Sequence, residues 1–129
     1  MKIQNNRFAL ISTYNKNQLQ KICKVLKFYK IGIIATDSTS RYIRSHGFDC
    51  KKISDVTDFN EILDGRVKTL HPLIHASLLQ KRNNKNHIAE IKKNNYLIID
   101  FVIVNLYPFK QVAKKKLSVE KIIEMIDIG

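Results

Sequence analysis

The chain has 129 residues, 44% hydrophobic and 26% charged, which bounds it to one domain with a real core and excludes wholesale disorder. The formal charge of +12 invites a nucleic-acid reading. However, lysine outnumbers arginine 18 to 5, and the basic runs Lys51-Lys52, Lys92-Lys93 and Lys114-Lys115-Lys116 are short and far apart, whereas a nucleic-acid footprint clusters its charge and favours arginine.

Phe8-Ala9-Leu10-Ile11-Ser12 is a short, continuously apolar run, as a strand buried on both faces requires. A helix follows, with Asn15 as its cap and Leu19, Ile22, Cys23, Leu26 and Tyr29 at helical spacing. Ile31 to Ala35 reads as a second buried strand. It enters a polar turn, Thr36-Asp37-Ser38-Thr39, that opens a short helix ending at Gly47. Phe48 to Ile53 suggests a third, weaker strand, and Leu73 to Leu79 and Asn86 to Asn94 suggest helices. Ile98 to Asn105 holds the strongest strand, and Ser118 caps a last helix through Ile122, Ile123 and Ile126.

Buried strands alternating with helices imply an α/β domain with three layers, a mostly parallel central sheet and helices on both faces. Ligands of such sheets bind beyond the carboxyl ends of the strands. That rule gathers Ser12 to Lys16, Thr36 to Thr39, the 64 to 75 loop and Asn105 to Pro108 at one edge. Cys23 and Cys50 lack metal-type spacing, no apolar run reaches the roughly 20 residues of a membrane span, and the N-terminus lacks a secretion core. Free thiols in a soluble, cytoplasmic protein are the expectation, with neither nucleic acid nor membrane as partner.

Four constellations stand at that edge, each with a plain structural alternative. Thr36 to Thr39 could offer backbone N–H groups and hydroxyls to an anion, or simply cap a helix; Asp37 opposes an anion unless its carboxylate points away. Arg66 and Lys68, spaced i, i+2 after Gly65, would project to one side of an extended loop and suit a phosphate or an oxyanion, or be solvated surface charge. His71 and His75 have helical metal-ligand spacing but no third ligand, and structural hydrogen bonding competes with a metal. Asn105 and Tyr107 leave the best strand where an amide could orient a substrate and a phenol relay a proton. The same pair could equally be a packed strand terminus.

Taken together, Asp64-Gly65-Arg66-Val67-Lys68-Thr69-Leu70-His71-Pro72, Asn105-Leu106-Tyr107-Pro108-Phe109 and Ile126-Asp127-Ile128-Gly129 resemble the IMP cyclohydrolase domain. This is the N-terminal part of the bifunctional enzyme that formylates aminoimidazole carboxamide ribotide and then closes the purine ring. Leu10-Ile11-Ser12, Lys16, Ser54-Asp55-Val56-Thr57 and Phe59 extend the match over nearly the whole chain. The resemblance implies a methylglyoxal-synthase-like fold and cyclisation of 5-formamidoimidazole-4-carboxamide ribotide to IMP with loss of water. It assigns Lys68, Tyr107 and Asp127 to catalysis. Ser12, Lys16, Thr36, Ser38, Thr39 and Arg66 would hold the ribose phosphate, and Thr69 and Asn105 the base or carboxamide. It implies no metal or organic cofactor, and a homodimer.

Two departures qualify the match. The family has paired glycines where Asp37 and Ser38 stand, and an aspartate at Asn15. Residues 1–129 would be a cyclohydrolase domain truncated at its C-terminus, with the transformylase domain absent. A non-catalytic nucleotide-binding or sensing module of the same fold is the alternative.

Overall fold

The computed structural model describes residues 7–115, 117–123 and 125. Its four strands are β1 (Arg7–Thr13), β2 (Gly32–Ala35), β3 (Lys51–Lys52) and β4 (Ile98–Asn105). They form one all-parallel sheet in the order β3-β2-β1-β4. The helices are α1 (Leu19–Phe28), α2 (Asp37–Ser45), α3 (Ile53–Thr57), α4 (Pro72–Leu79), α5 (Lys85–Lys93), α6 (Phe109–Ala113) and α7 (Val119–Ile123).

The alternation of strand side chains divides the core into two layers. Ala9, Ile11, Ile33 and Ala35 point to one face, where Leu19, Cys23 and Leu26 of α1 and Ile43 of α2 cover them. Phe8, Leu10 and Ile34 point to the other face and meet Ile53 of α3, Ile74 of α4 and Ile99 of β4. Helices therefore lie on both faces, as the continuously apolar strands require. A register shift at Phe8/Ala9 sets the faces of β4: Phe8 pairs with Ile99 and Ala9 with Phe101, leaving Asp100 as the extra residue of a bulge. After it, Phe101 and Ile103 stand on the α1 side of the sheet.

Asp100 is nearly fully buried, and both arginines that hold it, Arg7 and Arg82, are half exposed. Burial alone would push its carboxyl up, but the hydrogen bonds and charges of Arg7 and Arg82 outweigh that and hold it below the ordinary value.

Local chemistry accounts for most boundaries. Gly47 ends α2 at φ +80°, donating its N–H to the Arg44 carbonyl at 3.0 Å. Pro72 stands at the first position of α4, which His71 caps by accepting the Leu73 N–H at 3.2 Å. Asn84 caps α5 through the amides of Asn86 and His87.

Two expectations are corrected. Asn15 does not cap α1: the N-cap is Gln18, in the left-handed region at φ 67°, and Asn15 Oδ1 instead accepts the Asn17 N–H at 2.8 Å. The third strand shrinks from Phe48–Ile53 to Lys51–Lys52, because the Cys50 carbonyl is taken by Arg44 Nε at 2.8 Å and Ile53 already begins α3.

Both cysteines are free and buried in the α1–α2 layer. Burial raises the Cys23 thiol and pushes Cys50 up to about 12, so both serve as small core hydrophobes. No described helix is long and apolar enough to cross a membrane.

Candidate functional site

At the carboxyl ends of β1, β2 and β4 the chain makes a polar seam. The Thr39 hydroxyl of α2 accepts the Thr13 N–H and donates to the Thr13 carbonyl, both at 3.3 Å, and the Thr36 hydroxyl donates to Thr39 Oγ1 at 3.2 Å. Thr36 and Thr39 are buried, so their hydroxyls are spent on tying α2 to β1. They build the wall of the site rather than line it. Thr13 Oγ1 is buried there too, with no hydrogen-bond partner among the described residues. Ser38 is exposed in the first turn of α2, where a helix leaves its N–H groups without partners inside the helix.

The turn after β1 is fixed from β4. Asn105 pairs in register with Thr13, accepts the Asn15 N–H at 2.9 Å and donates to the Asn15 carbonyl at 2.6 Å. Its amide therefore holds protein backbone in both directions. Tyr107 stacks on Tyr14 with ring centroids 4.1 Å apart, fastening the same turn from the side. Lys16 closes it by donating to the carbonyls of Thr13 at 3.0 Å and Tyr14 at 3.5 Å. Partial burial lowers its ammonium from the ordinary 10.5, as a cation taken partly out of water requires. Ser12 lies half-buried on the sheet face of α3 and α4, opposite Val104.

The 58–71 loop reaches this edge through Glu61, whose Oε1 accepts the Asp37 N–H at 3.1 Å. Ile62 and Val67 then form an isolated antiparallel bridge around the turn Leu63-Asp64-Gly65, whose φ angles are 53°, 56° and 80°. Gly65 is packed as well as left-handed: a Cβ there would lie 3.1 Å from Glu61 Oε2 and 3.7 Å from Lys68 Nζ. Lys68 and Thr69 are half-buried on the returning arm, and Arg66 is exposed. The Asp37 carboxylate lies 4.0 Å from Lys52 Nζ, which offsets part of the charge it adds to the edge.

Lys16, Asn105 and Tyr107 thus meet at the β1 turn, and Thr36, Ser38 and Thr39 at the start of α2. Lys68 approaches α2 through Glu61. Asp127 lies outside the described residues. The histidines have protein roles: His71 caps α4, and His75 Nδ1 lies 3.1 Å from the His71 carbonyl. No group of three metal-type side chains occurs among the described residues. Sequence reasoning put Thr13 and Tyr14 at this edge within Ser12 to Lys16 but gave them no role, and it missed Glu61; their partners lie 24 to 93 residues away and leave no local spacing to read.

Comparison with known proteins agrees with this architecture. The chain is 45% identical over 121 residues to the bifunctional purine biosynthesis protein PurH of Clostridium perfringens, and 47% identical over 125 residues to that of Caldicellulosiruptor bescii. These matches cover 94% and 96% of this chain but 24% of each relative, so the chain spans about a quarter of the proteins it resembles. A crystal structure of ForH superposes with a TM-score of 0.79 at 23% identity, over 95% of this chain and 61% of that one, a likeness of fold. Residues 18–129 match the MGS-like domain. With its parallel three-layer sheet and polar carboxyl edge, the chain belongs to the family of MGS-like domains.

Proposed function

We propose that this chain is an IMP cyclohydrolase domain, converting 5-formamidoimidazole-4-carboxamide ribotide to IMP and water in the cytoplasm. The observation that carries the reading is the approach of the Arg66–Lys68 arm to the α2 N-terminus through the Glu61–Asp37 contact, at the same edge as Lys16 and Asn105. The purine biosynthesis role of the similar PurH proteins supports it.

The reaction joins the carboxamide nitrogen to the formyl carbon, making a carbinolamine. That carbon then loses its hydroxyl as water while the formamido nitrogen gives up a proton, and the ring double bond forms. The formyl oxygen gains charge in the first step, and Lys68 would stabilise it and pass a proton to the leaving hydroxyl. Tyr107 and Asp127 would serve as the acid/base partners. Lys16, Arg66, Ser12, Ser38 and the α2 N-terminus would hold the ribose phosphate. Thr36 and Thr39 support that helix end from within, and Thr69 and Asn105 would set the base. The cyclisation requires no metal or organic cofactor.

In this reading the transformylase chemistry belongs to sequence outside residues 1–129. The exposed apolar side chains Phe101, Val102 and Val104 support association as a homodimer.

Lys68→Ala tests the assignment: turnover should fall by about a hundredfold or more with the circular dichroism spectrum unchanged. Retained turnover would remove Lys68 from the mechanism. A second reading, nucleotide binding without turnover, is favoured by the Glu61 and Asp37 carboxylates at the anion edge, and would show as IMP binding by an inactive wild-type chain.

A further inference from the structure

We propose that Glu61 is a positioning residue that fixes the distance between the α2 N-terminus and the Arg66–Lys68 arm; the functional part of this inference rests on the nucleotide reading above. The two halves of the site share no secondary structure. Asp37 opens α2 just after β2, whereas Lys68 sits on an irregular loop that closes on itself through the Ile62–Val67 bridge and the Arg66 N–H donated to the Leu63 carbonyl.

That loop has little apolar anchorage, since Ile62, Leu63 and Leu70 are exposed. Its tip is also costly to hold, because Leu63 and Asp64 take left-handed backbone that side chains disfavour. A segment of this kind keeps one position only where the surroundings impose it. Glu61 supplies such a constraint from the base of the bridge.

One oxygen of its carboxylate accepts the Asp37 N–H, an amide that α2 cannot satisfy internally and whose helix dipole favours a negative partner. The other lies against Gly65, 3.1 Å from where a Cβ would stand, with Lys68 Nζ 3.7 Å from that same point. The carboxylate is thus wedged between α2 and the turn, and displacement of either shifts the other. Its role is separate from substrate contact: it places Lys68 without touching the reacting atoms.

The test compares Glu61→Ala with Glu61→Gln in the whole chain, reading amide exchange at Asp37, Ile62 and Val67 by NMR alongside IMP titration. Glu61→Ala should speed exchange at all three amides by roughly tenfold, the size of one lost hydrogen bond, and weaken IMP binding by a similar factor. Glu61→Gln keeps the accepting oxygen and should restore both.

Unchanged protection of Ile62 and Val67 in Glu61→Ala would overturn the proposal, whatever happens to IMP. Tighter IMP binding by Glu61→Ala would also overturn it, marking Glu61 as an anion that competes with phosphate. If the wild type ignores IMP while the amides respond as expected, the loop is positioned as proposed and the nucleotide reading alone falls.

Discussion

The two sides of the sheet are built differently. β1 and β2 are covered by helices on both faces, and Ala9, Ile11, Ile34 and Ala35 are fully buried. On β4 the apolar burial stops at Ile99: no described apolar residue beyond it is buried, and Phe101, Val102, Val104, Val119 and Ile123 are exposed. The first side holds its shape by apolar packing. The second is held by discrete polar ties, the Asp100 ion pairs at one end and the Asn105–Asn15 clamp at the other. The candidate site straddles the seam, so half its frame is rigid by burial and half by hydrogen bonds.

The contrast breaks most visibly in the core. Ile34→Ala should cost about 2–5 kcal/mol, whereas Val102→Ala, on the other side of β1, should cost under about 1 kcal/mol. Urea unfolding of both variants measures the gap. Equal losses would mean that β4 is buried as deeply as β2.

Asp100→Asn should follow at on the order of 1–2 kcal/mol, discounted because both arginines are half exposed. Its pH signature is specific. A carboxyl held below its ordinary value of 3.8 stabilises the fold above that value and loses the contribution as pH falls through its folded-state value. The variant should therefore be less stable at neutral pH and lose less stability on acidification below about pH 4. Parallel acid-unfolding curves would remove Asp100 as a tie.

A smaller loss than that of Asp100→Asn is expected of Asn105→Ala, about 1 kcal/mol for two solvent-exposed hydrogen bonds. It should nonetheless release the Tyr14–Lys16 turn, seen as faster amide exchange at Asn15. Unchanged exchange at Asn15 would show that Tyr107 and Lys16 hold the turn without the clamp.

What was legible in the sequence divides along the same seam. β4 was readable over its full span, and β1, β2, α4 and α5 to within a few residues, because apolar runs and helical spacing are local signals. The MGS-like fold and the resemblance to the bifunctional purine enzymes were legible in motifs such as Asp64 to Pro72. Asn15 was misread as a cap because its side-chain oxygen turns to the Asn17 N–H while its backbone is held by Asn105, 90 residues away. The third strand was overextended because a side chain, Arg44, captures the Cys50 carbonyl that a ladder would use. α3 and α6, five residues each, are too short to impose a period. Glu61 was overlooked because its role is defined by a backbone amide on another element.

On the proposed reading this edge binds a phosphorylated nucleotide. Calorimetric titration of IMP into the folded 129-residue chain, with inosine as the phosphate-free control, tests it most directly. Saturable binding of IMP with none of inosine is the predicted result. Equal binding of both, or of neither, would contradict a phosphate site at the start of α2.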